Sequence, residues 1–301
     1  MPTQWTETDI PNQKGRVAIV TGANSGLGWE TARAFAQKGA TVIMACRNLQ
    51  NGNAAAEQIK SIHPAGNVDV IALDLGDLDS VRAFSAAFRA KYVRLDLLIN
   101  NAGVMFTPYG KTAQGFEQQF GINHLGHFAL TGLLLDLLTG TPGARIVTVS
   151  SNTHRMGVMD FDNLNWEHDY NPQQAYSRTK LANLLFTYEL QRRLAVAEKN
   201  TLSVAAHPGW SRTNLMRYSN AFGRFIDRVF GQSPKMGALP SLYAATSPDV
   251  RGGEYFGPGG FNGMRGYPTL AESNDRSHDE EAARRLWTVS EELTHVTYQF
   301  Q

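Results

Sequence analysis

The stretch "RVAIVTGANSGLGWETARAFAQKG", residues 16 to 39, changes its periodicity partway along. Residues 16 to 22 form a short β-branched apolar run, and the segment from Gly26 onward reads as an amphipathic helix. Between the two, Gly22, Gly26 and Gly28 stand in a Thr-Gly-x-x-x-Gly-x-Gly arrangement. A strand that turns tightly into a helix needs glycine where its backbone must approach a ligand closely, and the free N–H groups and dipole of the helix N-terminus favour a pyrophosphate there. Gly22, Asn24, Ser25, Gly26, Leu27 and Gly28 are therefore the expected cradle. A glycine pattern alone also fits a plain structural turn; the strand before it and the helix after it favour the phosphate site.

The alternation continues outward from this unit. "TVIMACR" (41 to 47), "VDVIALD" (68 to 74), "LDLLINNAG" (95 to 103), "RIVTVSS" (145 to 151), "LSVAAHPG" (202 to 209) and the weaker "GEYFGP" (253 to 258) read as further strands, with helical segments between them. Their near-continuous apolar character requires cover on both faces, which helices on either side of a parallel sheet provide. No repeat or low-complexity linker interrupts the series. The expected architecture is a single doubly wound α/β domain over residues 16–301, with a mainly parallel seven-stranded sheet and a hydrophilic N-terminal arm over residues 1–15. Polar residues gather at the C-terminal ends of the strands, where such sheets bind ligands.

Bulk properties narrow the partners. With 301 residues, 42% hydrophobic and 10% aromatic, the chain can bury a substantial core. A formal net charge of +1 leaves no broad basic excess for nucleic acid, so a small neutral or anionic molecule is the expected partner. Cys46 is the sole cysteine, which excludes an intramolecular disulfide framework or Cys-rich zinc site and suits a reducing, cytoplasmic setting. The N-terminus carries no apolar signal core. The longest apolar run, "FALTGLLLDLL" (128 to 138), is too short to span a bilayer and contains Asp136, so the protein is expected to be soluble, with no integral membrane segment.

Two further positions speak to chemistry. An acidic residue at the end of the second strand would hold the adenosine ribose of NAD, but this chain places Arg47 there, after Cys46. A guanidinium in place of a carboxylate favours the 2′-phosphate of NADP(H). Asp74, followed by Leu75, is a candidate for the adenine edge. In "AYSRTKLAN" (175 to 183) Tyr176 precedes Lys180 by four residues, which puts both on one helix face. A phenol has an ordinary pKa near ~10, and a neighbouring ammonium would lower it toward neutrality. Lys180 is the expected ammonium.

Thr21 to Gly28, "NNAG" at 100 to 103, Asn123 in "INHLGH", Ser151, Tyr176 with Lys180, and "HPGWSRT" at 207 to 213 occur in an order and spacing that resemble the short-chain dehydrogenase/reductase family across nearly the whole chain. The "CRN" after the second strand, the insertion "NTHRMGVMDFDNLNWEHDYNPQQ" (152 to 174) and the C-terminal segment look most like the branch that contains retinol dehydrogenases, the WW-domain oxidoreductase and light-dependent protochlorophyllide reductases. The resemblance implies a Rossmann fold and an NADP(H)-dependent oxidoreductase that interconverts a carbonyl and an alcohol. Tyr176 would be the general acid/base. Lys180 would also hold the nicotinamide ribose, Ser151 (rather than its neighbour Ser150) would hydrogen-bond the substrate carbonyl, and Asn123 would help anchor a proton-relaying water. Asn100, Asn101, Ala102 and Gly103 would line the cofactor, and Pro208, Gly209 and Thr213 would close over its nicotinamide side. A catalytically silent NADP(H)-binding scaffold and a protochlorophyllide reductase-like enzyme are the alternatives; the latter subgroup carries an additional cysteine in its catalytic region that this chain lacks.

The lid is expected at about 212–236. It mixes Leu215, Met216, Phe222, Phe225, Ile226, Val229 and Phe230 with Arg217, Arg224 and Arg228. An apolar, adaptable cover suits a retinoid, steroid or lipid-derived carbonyl. The same stripe also fits packing on the core, on another subunit of a homo-oligomer, or on a membrane surface. His124 and His127 lie three apart, but no third ligand follows at suitable spacing, so no metal is expected.

Overall fold

The apolar runs become strands because both of their faces are buried. Along β1 (Val17–Thr21), Ile19 packs into one core layer while Ala18 and Val20 pack into the other; along β2 (Thr41–Cys46), Ile43 and Met44 divide in the same way. The computed structural model describes residues 4–63, 66–211 and 231–300. The remaining strands are β3 (Asn67–Ala72), β4 (Leu97–Asn100), β5 (Arg145–Val149), β6 (Leu202–Ala206), β7 (Tyr255–Gly260) and β8 (Arg265–Leu270). They form one sheet in the order β3-β2-β1-β4-β5-β6-β7-β8.

β1 pairs in parallel with both β2 and β4, so the strand order reverses beside β1 and opens a crevice at the carboxyl ends of the strands. One face of the sheet carries α1 (Gly26–Gln37), α2 (Leu49–Ile62) and α6 (Pro234–Thr246), which contribute Phe35, Ile59 and Leu242 to its core. The other carries α3 (Leu78–Arg89), α4 (Gly126–Leu133), α5 (Pro172–Val196) and α7 (Glu280–Thr294), with Phe84, Phe128, Phe186 and Trp287. The arm before β1 is docked: Trp5 is buried edge-on against Tyr243, and Glu7 pairs with Arg33 of α1. Among the described residues, no helix is long and apolar enough to cross a membrane.

The sheet has one strand more than the sequence patterns indicate. β8 runs antiparallel to β7 along the edge, after a tip at Phe261, Asn262 and Gly263 in which all three residues have positive φ. Gly266 and Pro268 weaken its strand signature, yet an edge strand tolerates proline, and Pro268 sits opposite Pro258, so neither offers an N–H to the other.

Candidate functional site

The loops after β1 to β6 and the tip of the β7–β8 hairpin enclose a cleft of about 780 Å³. At its cofactor end, Gly22 has φ +66, and a Cβ there would lie 3.0 Å from Ala102 Cβ. A Cβ on Gly28 would come within 2.4 Å of the Gly22 carbonyl, so this loop can coil onto the first turn of α1 only with glycine. Ser25, the N-cap of α1, is extended and makes no side-chain cap bond. The first-turn N–H groups are thereby left for a ligand beside Asn24, Ser25 and Leu27, an arrangement that fits a pyrophosphate.

Arg47, Asp74 and Leu75 line the same cleft from the ends of β2 and β3. Arg47 is exposed, and the turn after it is fixed because Asn48 caps α2 by accepting from the Asn51 N–H at 2.9 Å. Asp74 accepts from the Gly76 N–H at 2.9 Å, which orients its carboxylate. Cys46, behind Arg47, has its thiol pushed up to about 11 by burial and is chemically quiet.

After β4, the backbone N–H groups of Asn101 and Ala102 both donate to Thr21 Oγ1 at 2.9 Å, and the Asn101 side chain donates to the Thr21 carbonyl at 2.7 Å. Asn101, Ala102 and Gly103 thus face the cleft. Asn100 does not, contrary to expectation: it still belongs to the strand, is buried on the helix side and donates to Thr131 of α4 at 3.1 Å.

α5 begins at Asn171, whose side chain accepts from the N–H groups of Gln173 and Gln174, with Pro172 in the first turn. It is buried along most of its length, so Tyr176 (6% exposed) and Lys180 (4% exposed) both point into protein. Ser151 and Tyr176 both line the cleft, and the Ser151 side chain accepts from the Thr153 N–H at 3.2 Å, whereas Ser150 donates to the Lys180 carbonyl at 2.8 Å.

The electrostatics differ from the simple lysine-tunes-phenol expectation. Burial drives the Tyr176 pKa well above its ordinary value, and it is Ser151's hydrogen bond that pulls it back. Lys180 Nζ lies 5.5 Å from the centre of the Tyr176 ring and donates to the Val149 carbonyl at 3.0 Å. Burial lowers its pKa to about 8. Helical spacing puts two residues on one face but does not decide where a long lysine side chain places its charge.

Asn123 lies behind the cleft, in a π-helical turn over Gly121–Leu125. Its amide bonds both the N–H and the carbonyl of Val104 (2.8 and 2.9 Å) and reaches Thr179 Oγ1 at 3.2 Å, clipping the loop after β4 to α5. A Cβ on Gly103 would lie 3.1 Å from Asn123 Oδ1 and 3.9 Å from Lys180 Nζ. His124 bonds Ser290 and His127 bonds Thr21, so the two histidines are committed to different partners.

The opposite end of the cleft is bounded by Val104, Met105, Pro208, Gly209, Trp210 and Met264. Gly209 has φ +62, and a Cβ there would strike the Met264 carbonyl at 2.4 Å. Thr213 and the lid residues up to 230 lie outside the described residues. Gln232, just beyond, donates to the Pro208 carbonyl at 2.8 Å and ties the far end of that segment back to the cleft. The sequence reading missed Trp210, the hairpin tip, and Phe106, a residue at φ +55 whose ring meets Tyr176 edge-on at 5.5 Å. An "FNG" turn between two short β-prone runs was a usable hairpin signal; nothing local marks Phe106.

Comparison with known proteins agrees with this geometry. A family profile described as short chain dehydrogenase matches residues 16–222. Retinol dehydrogenase 11 of Mus musculus is 45% identical over 93% of this chain and 86% of its own. A solved structure from Mycobacterium paratuberculosis is 45% identical, covers 99% of this chain and 100% of its own, and superposes with a TM-score of 0.84. A short chain dehydrogenase from Shigella flexneri complexed with NADP shares the fold at 22% identity and a TM-score of 0.65.

Proposed function

Since the chain belongs to the short-chain dehydrogenase family and is an oxidoreductase of it, we propose that it is an NADP(H)-dependent enzyme interconverting an apolar carbonyl and its alcohol. The observation that carries this reading is the placement of Ser151, Tyr176 and Lys180 in the same cleft as the glycine cradle. A bound nicotinamide dinucleotide supplies the hydride. Tyr176, kept protonated by burial, donates its proton to the substrate oxygen, while the Ser151 hydroxyl orients that oxygen and stabilises the charge it gains. Lys180, with its pKa near neutrality at about 8, is suited to return a proton to the phenol and to hold a ribose hydroxyl. Asn123 braces the loop and helix that carry them.

NADP(H) selection is assigned to Arg47, which stands where a ribose-binding carboxylate would stand in an NAD site. The apolar substrate is assigned from Val104, Met105, Trp210 and Met264, and from the likeness to a retinol dehydrogenase. Initial rates of NADPH and NADH oxidation with retinal, a steroid ketone, a long-chain aldehyde and a small polar carbonyl test both assignments. Turnover of an apolar member with NADPH is expected. A preference for NADH would overturn the first assignment, and faster turnover of the small polar carbonyl would overturn the second.

A further inference from the structure

His127 touches neither end of the cleft, yet its ring lies between two elements that build it. Nδ1 is 3.1 Å from the main-chain carbonyl of Asn123, and Nε2 is 2.9 Å from Thr21 Oγ1. We infer that His127 is a positioning residue for hydride transfer, locking the turn that floors the cofactor cleft to the π-helical segment that braces the catalytic helix.

The hydrogen-bond inventory fixes the direction of every link. The Asn123 carbonyl can only accept, so Nδ1 carries the ring proton and Nε2 presents a lone pair. Thr21 Oγ1 already accepts from the N–H groups of Asn101 and Ala102, at 2.9 Å each, which uses both of its lone pairs. Its single proton is therefore free to donate, and it goes to Nε2 at 2.9 Å in preference to the Ile99 carbonyl at 3.3 Å. The resulting chain runs from Asn101 and Ala102 through Thr21 and His127 to Asn123, with each donor matched to an acceptor. A second ring proton would put Nε2–H against an oxygen with no lone pair left. Burial, reinforced by the nearby Lys180 charge, lowers the His127 pKa to about 4, in line with a permanently neutral ring. The two ends have different consequences. Asn101 and Ala102 line the cofactor cleft, whereas the Asn123 amide holds Val104 and Thr179, and the Thr179 hydroxyl donates to the Tyr176 carbonyl at 2.8 Å.

Two conservative substitutions separate the links. His127→Asn keeps an N–H near the position of Nδ1 but falls short of Thr21; His127→Gln reaches toward Thr21 but gives up the Nδ1 donor. NADPH affinity, read by fluorescence titration, is expected to fall about fivefold in the Asn variant with a smaller effect on kcat, and kcat about fivefold in the Gln variant with a smaller effect on affinity. In the wild-type protein, ¹⁵N-detected imidazole resonances should report a neutral Nδ1–H tautomer from pH 6 to 8. The kcat and NADPH comparisons rest on the proposed NADP(H)-dependent function; the tautomer does not, so a protein that neither turns over nor binds NADPH would leave the tautomer to decide. An Nε2–H or charged ring at pH 6, or equal proportional losses of affinity and kcat in both variants, would overturn the inference.

Discussion

Individual side chains carry the proposed cofactor preference and pH behaviour. Arg47 is exposed at the end of β2, where the proposed charge-assisted contact to a 2′-phosphate would be worth about 1.5–3 kcal/mol. Arg47→Ala should therefore cut the NADPH-over-NADH ratio of kcat/KM by roughly 10- to 100-fold while leaving the rate with NADH nearly unchanged; an unaltered ratio would remove Arg47 from the site. Lys180 sets a second expectation. Its pKa, ordinarily 10.5, is lowered to about 8 by burial, so its ammonium is lost as pH rises through about 8. Tyr176 is displaced upward and does not ionise in that range. The kcat/KM for NADPH should then be level at neutral pH and decline above about 8, a limb that belongs to Lys180. A profile that stays level to pH 10 would show that this ionisation does not govern binding or turnover.

Residue-level reading of the sequence reached the right neighbourhood but not always the right atom. Asn100 and Asn101 differ by one position, and the one-residue alternation at the end of β4 sends the first toward α4 and the second toward the cleft. Ser150 and Ser151 both reach the cleft, but Ser150 commits its hydroxyl to the Lys180 carbonyl. The anchoring of the Lys180 ammonium was not legible, because the Val149 carbonyl that holds it comes from a strand distant in sequence.

At the level of elements, the glycine loop is the part in which local pattern and tertiary demand coincide most closely. Gly28 in the first turn of α1 has no room for a methyl group: a Cβ would sit 2.4 Å from the Gly22 carbonyl and 2.7 Å from Asn101 Nδ2. Gly28→Ala should destabilise the fold by roughly 1–3 kcal/mol and weaken NADPH binding, because relief requires moving backbone that lines the proposed cofactor cleft. Thermal unfolding with and without NADPH measures both effects, and unchanged values would show that the loop can relax. The hairpin of β7 and β8 is the opposite case. Its strands contain Pro258, Gly259, Gly260, Gly266 and Pro268, poor strand formers that are held by pairing with each other and by the Gln232 contact to the Gly266 N–H. Only the tertiary arrangement makes β8 a strand and brings Met264 to the cleft.

Across the whole molecule, the seven patterned strands were legible because burial on both faces leaves an apolar run at each, and their loops converge because a parallel sheet directs every carboxyl end to one edge. Contacts between distant segments were not legible: the Phe106 ring on Tyr176, the Asn123 clip between Val104 and Thr179, and the docking of Trp5 on Tyr243. The first two of these contacts hold the loop after β4 and the helix that carries Tyr176 around one cleft, and the proposed reaction places the protonated phenol of Tyr176 at its centre. The most direct measurement is Tyr176→Phe, assayed for NADPH-dependent carbonyl reduction and for NADPH affinity on the same preparation. The Phe ring keeps the contact with Phe106 and the fold, so affinity should stay within about twofold while turnover falls by about 10²- to 10⁴-fold. Turnover near the wild-type rate, with the same affinity, would mean that the proton comes from another group and that Tyr176 is not the acid of this enzyme.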